Sequence, residues 1–109
     1  NYLDKAKKNN LLFAIIQEMK KSFFISIVTN ASKKNVDDIL EKFSIKELFD
    51  LLITQEDIEN PKPSAEGFLK AMDYFNISKE NTIIFEDSEI GIQAAVKSGA
   101  DYVKVYGYN

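Results

Sequence analysis

Phe23-Phe24-Ile25-Ser26-Ile27-Val28-Thr29-Asn30-Ala31-Ser32 is the stretch on which the fold turns. Its first six residues are a short, nearly continuous apolar run rich in β-formers, the signature of a strand buried on both faces. Thr29 to Ser32 then break the run, and Ser32 is placed to cap a helix whose apolar residues Val36, Ile39, Leu40 and Phe43 share one face. A strand that passes through a polar turn straight into a helix is half of a β-α-β unit.

Outward from this unit the same alternation continues. Upstream, Leu12, Ile15, Ile16 and Met19 recur at helical spacing, so Asn10–Lys21 is expected to be an amphipathic helix. Downstream, Ile45–Phe49 is expected to form a single helical turn and Leu51–Thr54 a second strand. Gln55–Ser64 is a polar loop that holds both prolines. A helix from Ser64 turns Phe68, Ala71, Met72 and Phe75 inward. Thr82–Phe85 is a third buried strand, and Ser88 caps a helix with Gly91, Ile92, Ala95 and Val96 on its inner face. Gly99 ends that helix and Tyr102–Tyr106 is the last strand. The order α-β-α-β-α-β-α-β predicts an α/β fold, a Rossmann-like parallel sheet with flanking helices and right-handed crossovers.

Composition narrows the chemistry. The chain has 109 residues, enough for one domain, and 45% of them are hydrophobic, with eight Phe and five Tyr, enough for a core. The net charge of −3 argues against a nucleic-acid surface. All 14 basic residues are Lys, so the chain holds no guanidinium clamp, and without His or Cys it lacks the usual general base and thiolate. Carboxylates, hydroxyls, amides, lysines and backbone N–H groups remain, a set that suits a hard, oxygen-liganded ion such as magnesium. No apolar run approaches a membrane span and the start lacks a signal-peptide pattern, so the expectation is a soluble cytoplasmic protein with no membrane partner.

Parallel α/β sheets place ligands at the carboxyl ends of their strands, and three polar clusters fall at or near such ends. Thr29-Asn30 offers a hydroxyl, an amide and backbone N–H groups at a helix start, which suits a phosphate; it equally suits simple helix capping. Lys62, between Pro61 and Pro63, sits in a restricted backbone and could aim its ammonium at a phosphoryl group; alone, such a lysine is usually solvated. Glu86-Asp87 could ligate a divalent cation, or form an acidic turn before a capped helix. Gly91, one turn into that helix, is unfavourable there unless the helix presses close to a strand or a bound group.

Taken together, the clusters resemble the haloacid dehalogenase-like superfamily, most closely its β-phosphoglucomutase-like and phosphoglycolate-phosphatase-like branch. Ile27-Val28-Thr29-Asn30 resembles the second motif of that family, Pro61-Lys62-Pro63-Ser64-Ala65-Glu66 the third, and Phe85-Glu86-Asp87-Ser88 through Gly91 the fourth. Ser98-Gly99-Ala100 matches the small-residue turn that follows. The resemblance covers roughly Leu12 to Tyr106, in the expected order and spacing. It implies a magnesium-dependent phosphatase or phosphomutase acting on a small phosphorylated metabolite through an aspartyl-phosphate. Thr29, Asn30 and Lys62 would bind phosphate, Lys62 would also serve catalysis by neutralising charge, and Glu86 and Asp87 would hold Mg2+.

The departures from the family pattern carry as much weight. Its first motif, a hydrophobic strand ending in Asp-x-Asp that supplies nucleophile and general acid/base, has no counterpart here; Asp37-Asp38 is contiguous and in a helix pattern. Pro61 stands where glycine is common and Ala65 where a second proline is common. The expectation is therefore that residues 1–109 form the C-terminal portion of a haloacid dehalogenase-like core, with 1–10 a linker from an absent cap, inactive alone. A truncated, non-catalytic binding or scaffolding protein is the rival. A receiver-type phosphoacceptor would need an acidic pair after the first strand, which Val28-Thr29-Asn30 does not supply. The family's strand order also implies a slot between the Phe23–Val28 and Thr82–Phe85 strands, filled by a missing N-terminal segment or a second chain, or closed by direct pairing of the two.

Overall fold

A strand covered on both faces must alternate its side chains between two cores, and the first strand does so at Ile27 and Val28. Ile27 packs with Phe13, Ile16, Phe43, Phe49 and Leu52 around buried Val36, Leu40, Ile45 and Leu48. Val28 packs the other way, against Phe68, Met72, Ile84, Ala94, Ala95 and Ala100. The computed structural model describes residues 10–106. Its elements are α1 (Asn10–Met19), β1 (Ser26–Val28), α2 (Lys33–Lys42), β2 (Leu51–Ile53), α3 (Glu66–Phe75), β3 (Ile83–Glu86), α4 (Glu89–Ser98) and β4 (Asp101–Lys104). Helices α1 and α2 contribute to the first cluster and α3 and α4 to the second, so β1 lies between two helical layers. Apart from Asn10, the expected linker lies outside the described residues.

The helix boundaries follow from capping. Ser32 accepts a hydrogen bond from the Asn35 N–H at 3.2 Å, and Ser88 accepts one from the Gly91 N–H at 3.1 Å. Helix α4 ends on Gly99 at φ +84°, a left-handed conformation that any Cβ would strain. Helix α3 begins at Glu66 rather than Ser64, because Ser64 stays outside and its hydroxyl accepts the Glu66 N–H at 3.2 Å. The expected single turn appears at Lys46–Leu48.

Strand pairing is parallel, as predicted, but it forms two separate ladders. β1 pairs with β2 (Ile27 opposite Leu52) and β3 pairs with β4 (Phe85 opposite Val103). Among the described residues no ladder joins β1 to β3. The main chain shows which edges are free. The Asp50 N–H donates to the Ile25 carbonyl at 2.7 Å and the Thr29 N–H donates to Ile53 at 2.9 Å, so residues 25, 27 and 29 address β2. By alternation, Ser26 and Val28 point their N–H and C=O groups to the other edge. The Glu86 carbonyl accepts from the Val105 N–H at 2.8 Å, so Ile84 and Glu86 address β4 while Ile83 and Phe85 face the free edge. Direct closure of the sheet does not occur among these residues.

Several expectations are corrected in detail. β1 starts at Ser26, not Phe23, because the Phe23 N–H still bonds back to Met19 at 2.9 Å at the end of α1. Phe23 and Phe24 are accordingly 62% and 63% exposed, and Phe24 stacks on Phe75 with ring centroids 4.6 Å apart. β3 is not buried on both faces: Ile84 and Glu86 face the α3–α4 layer, whereas Ile83 and Phe85 are half or more exposed, and Val103, opposite Phe85, is exposed with them. Helix α1 ends at Met19 and turns Phe13 and Ile16 inward, leaving Leu12 and Ile15 exposed. Helix α4 buries Gly91, Ala94, Ala95 and Ser98 and leaves Val96 outside. Its smallest side chains face the sheet, so the helix comes close. No described helix is long and apolar enough to cross a membrane.

Candidate functional site

The carboxyl ends of β1 and β3 have no ladder between them, yet side chains connect them. Thr29 closes β1: its N–H completes the ladder and its hydroxyl accepts the Ala31 N–H at 3.1 Å, a tight local turn. Asn30 then reaches across 32 residues of sequence to the proline-flanked loop. Its Oδ1 accepts the Lys62 N–H at 2.9 Å and its Nδ2 donates to the Lys62 carbonyl at 3.2 Å.

The loop that presents Lys62 is fixed from behind by Glu66. That carboxylate accepts the N–H groups of Glu59 at 2.8 Å and Asn60 at 3.1 Å, together with the Asn60 side chain at 3.1 Å. These donors, led by the Glu59 N–H, hold the Glu66 carboxyl below the usual carboxylate range. The Ser64 N–H donates to Pro61 at 3.0 Å and closes the turn around Lys62-Pro63, whose peptide is cis.

From this loop the Lys62 ammonium runs inward to the Glu86 carboxylate, with only 13% and 8% of the two side chains exposed. It also lies 5.1 Å from the centroid of the Phe68 ring, within reach of a cation–π attraction. The Ser88 hydroxyl donates to Glu86 Oε1 at 3.4 Å. A Cβ on Gly91 would come within 1.9 Å of that same oxygen. Gly91 is thus the space in which the Glu86 carboxylate sits, and this explains a glycine inside the first turn of α4. Asp87, next in sequence, is exposed.

Three clusters far apart in sequence therefore meet at one edge: Thr29-Asn30, Lys62 and Glu86. The arrangement can neutralise negative charge with a nearly buried ammonium and offer hydroxyl and amide donors beside it. For a metal, Glu86 and Asp87 match a hard ion in donor type but form only part of a shell, and among the described residues no three His, Cys, Asp or Glu side chains come together. Sequence reading missed the reach of Asn30 to Lys62 and the Phe68 ring under the ammonium. Both join residues more than five positions apart, so neither has a local signal. A groove of about 820 Å3 runs along α3, past Asn60, Leu69 and Asn76, and none of Thr29, Asn30, Lys62, Glu86 and Asp87 lines it. The chemistry of the clustered residues, rather than cavity size, marks the site.

Comparison with known proteins places the chain in a family. The sequence profile described as "Haloacid dehalogenase-like hydrolase" matches residues 4–105. Phosphoglycolate phosphatase of Escherichia coli K12 is 28% identical over 114 residues, covering 99% of this chain and 45% of that protein. CbbY of Rhodobacter sphaeroides, solved in complex with phosphate, superposes with a TM-score of 0.79 at 25% identity over 85% of this chain and 43% of its own. A protein of Thermotoga maritima assigned as a β-phosphoglucomutase shares the fold at a TM-score of 0.79 and 24% identity, over 86% of this chain and 45% of its own. The chain spans less than half the length of these relatives.

Proposed function

This chain belongs to the haloacid dehalogenase-like hydrolases, and from that premise we propose that it is the phosphate- and magnesium-binding portion of a cytoplasmic phosphatase or phosphomutase acting on a small phosphorylated metabolite. Its relatives include named phosphatases, which support hydrolysis of phosphate esters as the type of reaction. The observation that carries the reading is the meeting of Thr29-Asn30, Lys62 and Glu86 at the carboxyl ends of two parallel ladders that do not pair with each other.

In the intact protein the nucleophile is an aspartate from outside residues 1–109, attacking phosphorus as the ester P–O bond breaks and the substrate alcohol leaves; the aspartyl-phosphate so formed is then hydrolysed by water to aspartate and inorganic phosphate. The strand that carries it fills the slot between β1 and β3, pairing with the free N–H and C=O groups of Ser26, Val28, Ile83 and Phe85. That segment comes from the rest of the same polypeptide, and a second chain is the alternative donor. Thr29 and Asn30 hold phosphoryl oxygens through the hydroxyl and the main chain. Lys62 neutralises charge on the nucleophile and on the transferring group. Glu86 and Asp87 hold magnesium, which when bound supplies further neutralisation of phosphoryl charge. The relay Asn30–Lys62–Glu86 keeps these groups in register, so catalysis is mainly positioning and electrostatics.

Backbone NMR of this chain with added inorganic phosphate and magnesium tests the reading. Shifts are expected at Thr29, Asn30, Lys62 and Asp87. Changes confined to residues elsewhere, such as the α3 groove, would overturn it.

A further inference from the structure

We infer that the Asn30 carboxamide is a positioning residue for Lys62: it anchors the main chain of the loop that carries the ammonium, and does not itself take a phosphoryl oxygen. The inference deepens the function proposed above and rests on it for what Lys62 does. The anchoring stands on geometry alone.

Pro61 and Pro63 have no N–H, so in the tripeptide Pro61-Lys62-Pro63 the Lys62 N–H is the sole main-chain donor. Any group that ties this tripeptide through a main-chain donor must use that N–H, and Asn30 Oδ1 accepts it at 2.9 Å. The same carboxamide donates from Nδ2 to the Lys62 carbonyl at 3.2 Å. One planar side chain thus holds both polar groups of one residue, as a neighbouring strand would. Only an amide has donor and acceptor at this separation; a carboxylate cannot donate and a hydroxyl cannot span both groups.

The consequence reaches the ammonium. With its main chain fixed to the end of β1, Lys62 extends over the Phe68 ring to Glu86 at the end of β3. Asn30 directly follows Thr29, so the clip also fixes the spacing between the Thr29 hydroxyl and the Lys62 ammonium. The two clusters become one unit even though β1 and β3 share no ladder.

The Phe68 ring supplies a spectroscopic reporter. Protons held 5 Å or so over an aromatic face are displaced by the ring current, so in an assigned 13C-lysine spectrum of this chain the Lys62 ε-methylene should be displaced, as should those of Lys42 and Lys104, which lie 5.6 Å from the Phe43 and Tyr106 rings and serve as internal references. In Asn30→Ala the Lys62 displacement is expected to be lost. The Lys62 amide should exchange with solvent roughly 5- to 30-fold faster, while the Ile84 and Met72 methyl signals beneath the site keep their positions. Asn30→Asp keeps an acceptor for the Lys62 N–H but loses the donor to its carbonyl, and should lie between wild type and Asn30→Ala. Lys62 signals and amide exchange unchanged in Asn30→Ala would overturn the inference. Should that variant lose its fold, Asn30→Asp reads the same quantities, and wild-type values there would overturn it equally. Inorganic phosphate added to the wild type separates the two claims. No shift at Thr29 or Lys62 would refute the phosphate site and leave the clip standing, whereas an Asn30 side-chain amide that moves with phosphate while Lys62 ignores Asn30→Ala would refute the clip.

Discussion

Gly91→Ala is the perturbation whose sign the structure fixes most sharply. At an exposed position inside a helix, replacing Gly by Ala stabilises by about 1 kcal/mol through helix propensity. Here the new Cβ would meet Glu86 Oε1 at 1.9 Å, Cδ at 2.2 Å and Oε2 at 2.7 Å. These separations are far inside van der Waals contact, so the carboxylate has to leave. It is the flexible end of a side chain and can rotate away, so the backbone need not move. In leaving, it gives up the nearly buried ion pair with Lys62 and strands the ammonium beside Phe68. Breaking a buried pair by removing one partner costs about 3–5 kcal/mol. With the propensity gain set against it, and a little relief from the 13% of Lys62 that still reaches water, the net destabilisation is about 2–3 kcal/mol.

Urea denaturation followed by circular dichroism measures this directly, and in a domain of this size the melting temperature should fall by roughly 8–20 °C. Glu86→Ala completes a cycle. With the carboxylate gone, Gly91→Ala meets no obstacle and should be neutral or stabilising, so the two substitutions couple strongly. A Gly91→Ala protein as stable as the wild type, or additive effects in the double variant, would refute the argument that Gly91 exists to seat Glu86.

Four further outcomes follow from the same geometry. The chain alone, given a generic aryl phosphate and magnesium, is expected to show no turnover above background; steady turnover that disappears in Asp87→Ala would mean that the nucleophile lies within it. Calorimetric titration with magnesium should give weak binding at most, since Glu86 and Asp87 supply two ligand groups, and a tight stoichiometric isotherm would contradict this. The Glu56 and Glu66 carboxyls are held below their ordinary values, first by the N–H groups of Lys33 and Glu59 respectively, so their contribution is complete above the unfolded-state value and is lost as pH falls through the folded one. Urea midpoints should therefore decline below about pH 5, and Glu56→Gln with Glu66→Gln should flatten that decline. Amide exchange along β1 and β3 should alternate, fast at Ser26, Val28, Ile83 and Phe85 and slow at Ile27 and Ile84; uniform protection would show the free edges to be paired.

What could be read from the sequence divides by the range of the interaction that decides it. Ser32 and Ser88 as caps and Gly99 as a helix end depend on residues within a few positions of each other, and all were legible; the parallel pairing joins residues 18 to 25 positions apart and was legible only through the alternation of strands with helices. So was the tension at Gly91, because a glycine in a helical turn is a local anomaly, although only the fold reveals that Glu86 resolves it. Burial of whole faces was not legible. Phe23-Phe24 and Ile83–Phe85 have the composition of fully buried strands, yet Phe23, Phe24, Ile83 and Phe85 are exposed. A continuous apolar run says that a strand is compatible with being covered twice; it does not say that the covering element lies within the same 109 residues. The exposed side chains and the unpaired main-chain edge of β3 point the same way. The sequence of this strand is suited to a sheet wider and more covered than the described residues build. The function proposed above takes the two ladders as halves of one sheet. The Asn30–Lys62–Glu86 relay already holds their carboxyl ends together where a central strand would have to deliver its reactive end.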